Sequence, residues 1–326
     1  MVKFEYVIEA RGLAKRFHAR AGVVDAVRHV DIDVRPGEIA GFLGPNGAGK
    51  TTTLRMLTTL LTPDAGHATV AGHDLRREPV AVRRRIGYVP QRGSTSPQAL
   101  VGEEVIDHGR LHGSSRGEVQ RRGRALLSQL DLEGTWERPT GTLSGGQRRR
   151  LDIALGLINQ PPLLFMDEPT TGLDPQARAN LWGHIRELRD GRGVTVFITT
   201  HYLEEADALC DRILVIDHGA IAAEGSPAQL KASLSGDRVA LRLGDPAELD
   251  AAHSLVCEVD GASVLRAEGD LLEFSLSDAA TALPPLLEGF VRDGVRLAGI
   301  EVHRPTLDDV FLSLTGRELR DQPIAA

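Results

Sequence analysis

Gly44-Pro45-Asn46-Gly47-Ala48-Gly49-Lys50-Thr51 is the stretch on which the reading of this chain turns. Before it stands a short apolar run, Glu38 to Leu43. After it, Lys50 to Leu61 carries Leu54, Leu57 and Leu61 at helical spacing and stops at Pro63. The order is therefore strand, glycine-rich turn, helix. Glycines let main-chain N–H groups turn inward and approach phosphate oxygens closely. The following helix aims its N-terminus, with free donors and partial positive charge, at the same place. Lys50 can reach the β- and γ-phosphates, and the Thr51 hydroxyl can ligate Mg²⁺. A full G-x-x-x-x-G-K-T in this context predicts nucleotide binding.

Outward from the loop, Val30-Asp31-Ile32-Asp33-Val34 alternates as a half-buried strand. Leu163 to Met166 is a continuous apolar strand ending in Asp167-Glu168. Val194 to Thr200 is a β-branched strand ending in His201, and Ile213 to Ile216 is one more buried strand. Residues 98–158 read as mostly helical, with Leu151, Leu155 and Ile158 on one stripe behind Ser144. Apolar strands alternating with helices predict an α/β fold whose parallel sheet is covered on both faces. The phosphate loop, the acidic pair and His201 then all fall at C-terminal strand ends, the edge where such sheets bind ligands. Asp167 would stand where Mg²⁺ sits, and Glu168, one residue on, suits a general base for an attacking water. Taken alone, an acidic strand end, a histidine such as His201 or a glutamine such as Gln91 is uninformative. Ser144 before Gly145-Gly146-Gln147 reads equally as a plain helix cap or as a second exposed anion site.

After Lys231 to Asp237, which reads as a linker, the pattern changes. Arg238 to Leu243 alternates as a strand, and Pro246 to Cys257 is helical. Ser263 to Ala267 and Leu271 to Leu276 are strands joined at Glu268-Gly269-Asp270. Ala279 to Asp293 is helical, Arg296 to His303 a strand, and Leu307 to Leu314 a short helix. The order βαββαβ predicts a small ferredoxin-like α+β domain. A length of 326 residues suits about two domains. The formal charge of −7 argues against a nucleic-acid partner. Cys210 and Cys257 form no metal or disulfide pattern and fit a reducing compartment. The first residues lack the apolar core of a signal peptide, and no run of about 18 apolar residues could span a bilayer.

Together these residues resemble an ATP-binding-cassette (ABC) ATPase, over about residues 7–232. The family signature stands as Leu143-Ser144-Gly145-Gly146-Gln147. The other elements occur once each and in the family's order: Phe17, the phosphate loop, Gln91, the signature, Asp167-Glu168, Gly172-Leu173-Asp174-Pro175 and His201. The segment Arg304 to Gly316 resembles the tail of daunorubicin-resistance-type ATPase subunits, as does Arg148-Arg149-Arg150-Leu151-Asp152. The resemblance implies a RecA-like parallel-sheet core with a β-subdomain and a helical subdomain (about 92–158), and an accessory domain over 238–326.

It also implies an ATP hydrolase. Phe17 would stack on adenine, and Gly44 to Thr52 (Gly44, Pro45, Asn46, Gly47, Ala48, Gly49, Lys50, Thr51, Thr52) would hold the phosphates. Thr51, Gln91 and Asp167 would organise Mg²⁺. Glu168 would polarise the attacking water, with His201 and Gln91 completing the catalytic set. Ser144, Gly145, Gly146 and Gln147 would close over the ATP of a second cassette, another copy of this chain or a partner. The same resemblance implies an ABC-2-type permease in a separate chain, a peripheral place on the cytoplasmic side of the membrane, and export of a hydrophobic, antibiotic-like compound. Export of an ion, a lipid-linked sugar or haem is the alternative, and a soluble non-transport cassette ATPase the remoter one. After Gln91, Gly93-Ser94-Thr95-Ser96-Pro97 and Val101-Gly102-Glu103-Glu104 depart from the group's pattern, in the region that in the family meets the permease.

Overall fold

The computed structural model describes residues 5–19, 22–93, 95–234 and 236–316. The chain opens on β1 (Ile8–Ala19), β2 (Gly22–Val34), β3 (Ile39–Leu43), α1 (Lys50–Leu57), β4 (Ala65–Val70), β5 (His73–Asp74), α2 (Pro79–Arg85) and β6 (Ile86–Val89). Helices α3 (Val101–Leu111), α4 (Arg116–Gln129) and α5 (Gly145–Leu157) come next. They are followed by β7 (Leu163–Asp167), α6 (Pro175–Arg192), β8 (Thr195–Thr200), α7 (Leu203–Leu209), β9 (Arg212–Asp217) and β10 (Ala220–Gly225). The remainder is α8 (Pro227–Ala232), β11 (Asp237–Leu243), α9 (Leu249–Cys257), β12 (Ser263–Glu268), β13 (Leu271–Leu276), α10 (Ala279–Arg292), β14 (Leu297–His303) and α11 (Leu307–Thr315). Two compact units divide between Pro227 and Ala228. Among the described residues no helix is long and apolar enough to cross a membrane.

In the first unit, β9, β3, β8, β7 and β6 lie side by side, all parallel. Every residue of β3, β7 and β8 is buried, as continuous apolar strands require when helices cover both faces of a sheet. Phe197 packs between Phe42 and Phe165, with ring centroids 5.6 Å apart on either side. Parallel pairing brings the C-terminal ends of β3, β6, β7 and β8 to one edge. That edge carries the phosphate loop, Pro90-Gln91, Asp167-Glu168 and His201.

Several expectations need correction. The strand read over residues 30–34 is the last part of a 13-residue β2, which pairs with β1 as an antiparallel ribbon. The helix read to Leu61 ends at Leu57. Thr59 adopts φ 64, and the N–H groups of Leu60 and Leu61 fold back onto the Arg55 carbonyl, so a left-handed residue stops the helix ahead of Pro63. Within residues 98–158, the stretch between α4 and α5 is irregular apart from one 3₁₀ turn, Thr140–Thr142.

In the second unit, α8 and the start of β11 occupy both ends of the expected linker; Ser235 lies outside the described residues. The helix read from Pro246 begins as a 3₁₀ turn, Pro246–Glu248, and becomes α-helical at Leu249. Its strands run in the order β12-β13-β11-β14, all antiparallel. First and third strands at the centre of a βαββαβ chain is the ferredoxin-like arrangement. Val239, Leu241, Leu272 and Phe274 turn one face to Val256 of α9 and to Leu286 and Phe290 of α10, a core of its own.

Phe197→Ala should destabilise the first unit by about 3–5 kcal/mol, because it leaves a cavity between two rings that cannot collapse together. Denaturant unfolding followed by tryptophan fluorescence reads this. An unchanged midpoint would contradict the packing described.

Candidate functional site

An open cleft of about 820 Å³ lies at this sheet edge. Phe17 and Val24, from the paired strands β1 and β2, wall one end with Ala26. Gln91, Glu168 and His201 wall the other, and the phosphate loop and the first turn of α1 form the floor. Phe17 is 40% exposed, with the Lys15 ammonium 5.8 Å from its ring centroid, so its ring is open to a planar ligand. Of the residues singled out in the sequence, Pro45, Asn46, Gly47, Gly49, Lys50, Thr51 and Thr52 also line the cleft. Gly44 and Ala48 are buried behind the loop. Gly49 caps α1 at φ 109, and a Cβ there would stand 2.5 Å from the Ala26 carbonyl oxygen. Only glycine lets the loop close this tightly on β2. The first N–H groups of α1 have no acceptor within the helix and point to the cleft floor.

Charge is concentrated at the far end. Lys50 is 4% exposed; its Nζ donates to the carbonyls of Gly44 (2.7 Å) and Pro45 (3.1 Å) and lies 3.3 Å from Glu168 Oε1. The other Glu168 oxygen, Oε2, accepts from Gln91 Nε2 at 2.9 Å and lies 3.2 Å from His201 Nδ1, with the Thr171 hydroxyl at 3.4 Å. Burial raises the Glu168 pKa, but the His201 hydrogen bond and the Lys50 charge outweigh it and hold the carboxyl at about 2. Burial also depresses the Lys50 ammonium, against the pull of Glu168. Glu168 has φ 43, and its N–H is tied to the carbonyl and hydroxyl oxygens of Thr199, both at 3.0 Å. Such backbone is costly for a side-chain-bearing residue, and here it turns the carboxylate back over the cleft.

Asp167 lies beneath. It is buried, and its Oδ1 accepts from the Thr51 hydroxyl at 3.2 Å and the Thr199 hydroxyl at 2.7 Å. Sequence reasoning did not single out Val24, Ala26, Thr171, Thr199 or Tyr202. Their signal was absent, because each reaches the site through strand pairing or a turn rather than through a motif.

Ser144, Gly145, Gly146 and Gln147 do not line this cleft. Ser144 caps α5: its Oγ accepts from the Gln147 N–H at 3.2 Å, and Gln147 Oε1 accepts from the Ser144 N–H at 3.1 Å, a reciprocal capping box. Ser144 and Gly145 are exposed. Asp174 caps α6 one way, its Oδ1 accepting from the Ala177 N–H at 2.8 Å, with Pro175 in the first turn.

A profile of the family described as "ABC transporter" matches residues 27–171, and one described as "ATP-binding protein DrrA1-3-like, C-terminal domain" matches residues 225–315. The daunorubicin resistance ATP-binding protein DrrA3 of Streptomyces coeruleorubidus is 43% identical over 314 residues, 96% of this chain and 97% of that protein. This chain belongs to the ATP-binding subunits of ABC transporters. The Nod factor export ATP-binding protein I of Cupriavidus metallidurans is 42% identical over 296 residues, 90% of this chain and 94% of that protein. Among solved structures, the dimeric structure of a bacterial ABC transporter cassette superposes with a TM-score of 0.62 at 26% identity, covering 67% of this chain and 98% of that one. The same cassette in a post-hydrolysis state bound to ADP and Pi matches equally. As a member of this family the subunit binds nucleotide and hydrolyses ATP.

Because the folded pKa of Glu168 lies below its ordinary 4.5, its pairing stabilises the fold above about pH 4.5, by on the order of 3 kcal/mol. That contribution disappears as the pH falls from about 4.5 to 2. Glu168→Gln should therefore flatten the pH dependence of unfolding in this window, measured by denaturant midpoints at stepped pH. Parallel curves for the two proteins would show that the carboxylate is not held as described.

Proposed function

We propose that this subunit powers the export of a hydrophobic, drug-like compound through a separate ABC-2-type permease, using two ATP molecules held between two cassettes. The observation that carries the catalytic part is the convergence of Lys50, Gln91 and His201 on one buried carboxylate, Glu168, above the phosphate-loop floor. Phe17 stacks on the adenine. The loop from Gly44 to Thr52 wraps the phosphates with N–H groups, and their charge draws Lys50 away from the Gly44 and Pro45 carbonyls.

That exchange has an acid–base consequence. Once Lys50 turns to phosphate, Glu168 loses a pairing cation and its pKa rises toward the range of a working base. Glu168 then takes a proton from the attacking water, while His201 orients that water and the γ-phosphate and Gln91 holds the carboxylate in register. The contact between the Thr51 hydroxyl and the Asp167 carboxylate, two hard oxygen donors beside the phosphates, suits Mg²⁺. Thr51 and Asp167 would hold the ion, with Gln91 beside them, and when bound it neutralises charge on the phosphates.

Ser144 and Gly145 lie exposed, Gly146 and Gln147 half-buried, and all four stand outside their own chain's cleft, which supports their use on a neighbour's γ-phosphate. The dimeric solved cassette supports a second copy as that neighbour. We assign residues 7–232 to the cassette and 238–326 to the accessory domain. Docking on the permease would hold the subunit at the cytoplasmic face of the membrane. Near-full-length similarity to daunorubicin resistance proteins supports a drug-like cargo. Similarity at 42% to a Nod factor exporter keeps another exported cargo as the second reading.

Glu168→Gln should retain ATP binding and lose hydrolysis by about 100- to 10,000-fold, roughly 3–5 kcal/mol of barrier; phosphate release near the parent rate would remove Glu168 as the base. Lys50→Ala should abolish binding of a fluorescent ATP analogue, and unchanged affinity would count against the phosphate-loop assignment. In a drug-sensitive host carrying the permease, the intact subunit should raise the inhibitory concentration of daunorubicin and Glu168→Gln should not. Protection absent in both would point to the other cargo.

A further inference from the structure

One buried cation in the first unit is not part of the cleft. Arg149, in the second turn of α5, is 6% exposed. Its three nitrogens donate to three main-chain carbonyls from two separate segments. Nη1 reaches Pro90 at 2.5 Å, Nη2 reaches Asp167 at 3.0 Å, and Nε reaches Pro169 at 2.7 Å. Pro90 immediately precedes Gln91, and Pro169 immediately follows Glu168. Asp152, one turn along α5, stands 3.7 Å from Nη1. Burial pushes the Asp152 carboxyl up to about 6 although Arg149 opposes this. A Cβ built on Gly93 would lie 3.1 Å from Asp152 Oδ2, so the chain beyond Gln91 passes tightly over the Asp152 carboxylate.

We propose that Arg149 is a positioning residue that fixes the main chain on either side of the Gln91, Asp167 and Glu168 side chains to the helix headed by Ser144. The inference rests on the proposed roles of those three residues. A planar guanidinium presents its donors in a rigid fork and spans separated acceptors at once, whereas an ammonium is a point charge on a flexible stem. The contacts to Asp167 and Pro169 are buried and that to Pro90 is part-buried, and a buried carbonyl stripped of its donor is costly. One helix thus carries both the serine offered to a neighbouring cassette and the clamp on its own chain's catalytic edge. Displacing α5 by contact at Ser144 would move Gln91 and Glu168, and displacing these would move Ser144.

None of the three carbonyls belongs to the phosphate loop, so the clamp should govern turnover and leave nucleotide affinity alone. In the full chain, Arg149→Lys should bind a fluorescent ATP analogue within about twofold of the parent and lower the maximal rate of phosphate release about 10- to 100-fold, with KM for ATP unchanged. A purely structural role would lower bound nucleotide and rate together. Loss in that proportion, or a parental rate, overturns the proposal. Should Arg149→Lys fail to fold, the double variant Arg149→Met/Asp152→Asn removes the buried charge while keeping side-chain volume. It should show the same split, and parental turnover from it overturns the clamp. Glu168→Gln, run alongside, separates the two levels. If that variant hydrolyses ATP at the parental rate, the site assignment has failed; if it is inert while Arg149→Lys is fully active, only the clamp has failed.

Discussion

Placing Lys50 and Glu168 3.3 Å apart in a nearly closed corner of the cleft is the constraint on which the rest of the catalytic edge depends. A lysine withdrawn from water loses several kcal/mol of hydration unless it is paired and hydrogen-bonded. Two loop carbonyls and one carboxylate meet that need before any nucleotide arrives. The loop that binds phosphate therefore has to be followed by a helix, backed by buried strands, and faced by the end of β7. The parallel sheet is the framework that supplies all three. Without β8 between them, neither the Thr199 ties to Asp167 and Glu168 nor the position of His201 would exist.

On the proposed assignment of Glu168 as the base, the pair would let one carboxylate be inert and then reactive. Glu168 is surrounded by donors, and a carboxylate with that many donors is a poor base. Phosphate is a stronger attractor for Lys50 than two carbonyls, so substrate binding itself releases part of the restraint. In the proposed mechanism, electrostatic competition at a preorganised site would switch the carboxylate.

Helix N-termini appear twice in this logic. That of α1 ends on the cleft floor, whereas that of α5 opens away from its own cleft behind the Ser144 capping box. Arg149 ties α5 to the main chain beside Gln91, Asp167 and Glu168, so under the roles proposed above the half-site a chain keeps and the one it offers would move together. The second unit stands apart in its energetics, with a closed hydrophobic core between one face of its sheet and two helices.

Local chemistry written in consecutive residues was legible directly. The phosphate loop, the apolar strands ending in Asp167-Glu168 and His201, the Ser144 cap and the βαββαβ order of the second unit each depend on neighbours in sequence. The contacts of Gln91 with Glu168, 77 residues away, and of Arg149 with Pro90, 59 residues away, do not. The length of β1 and β2 escaped for a similar reason. Those strands are exposed or half-buried at most positions and rich in charge, so their alternation is faint, and cross-strand pairing sets their extent. Residue type and spacing by themselves determined which groups could bind a triphosphate. Folding decided which of them touch, because register between parallel strands and the burial of Lys50, Glu168 and Arg149 are properties of the packed sheet and not of any one segment.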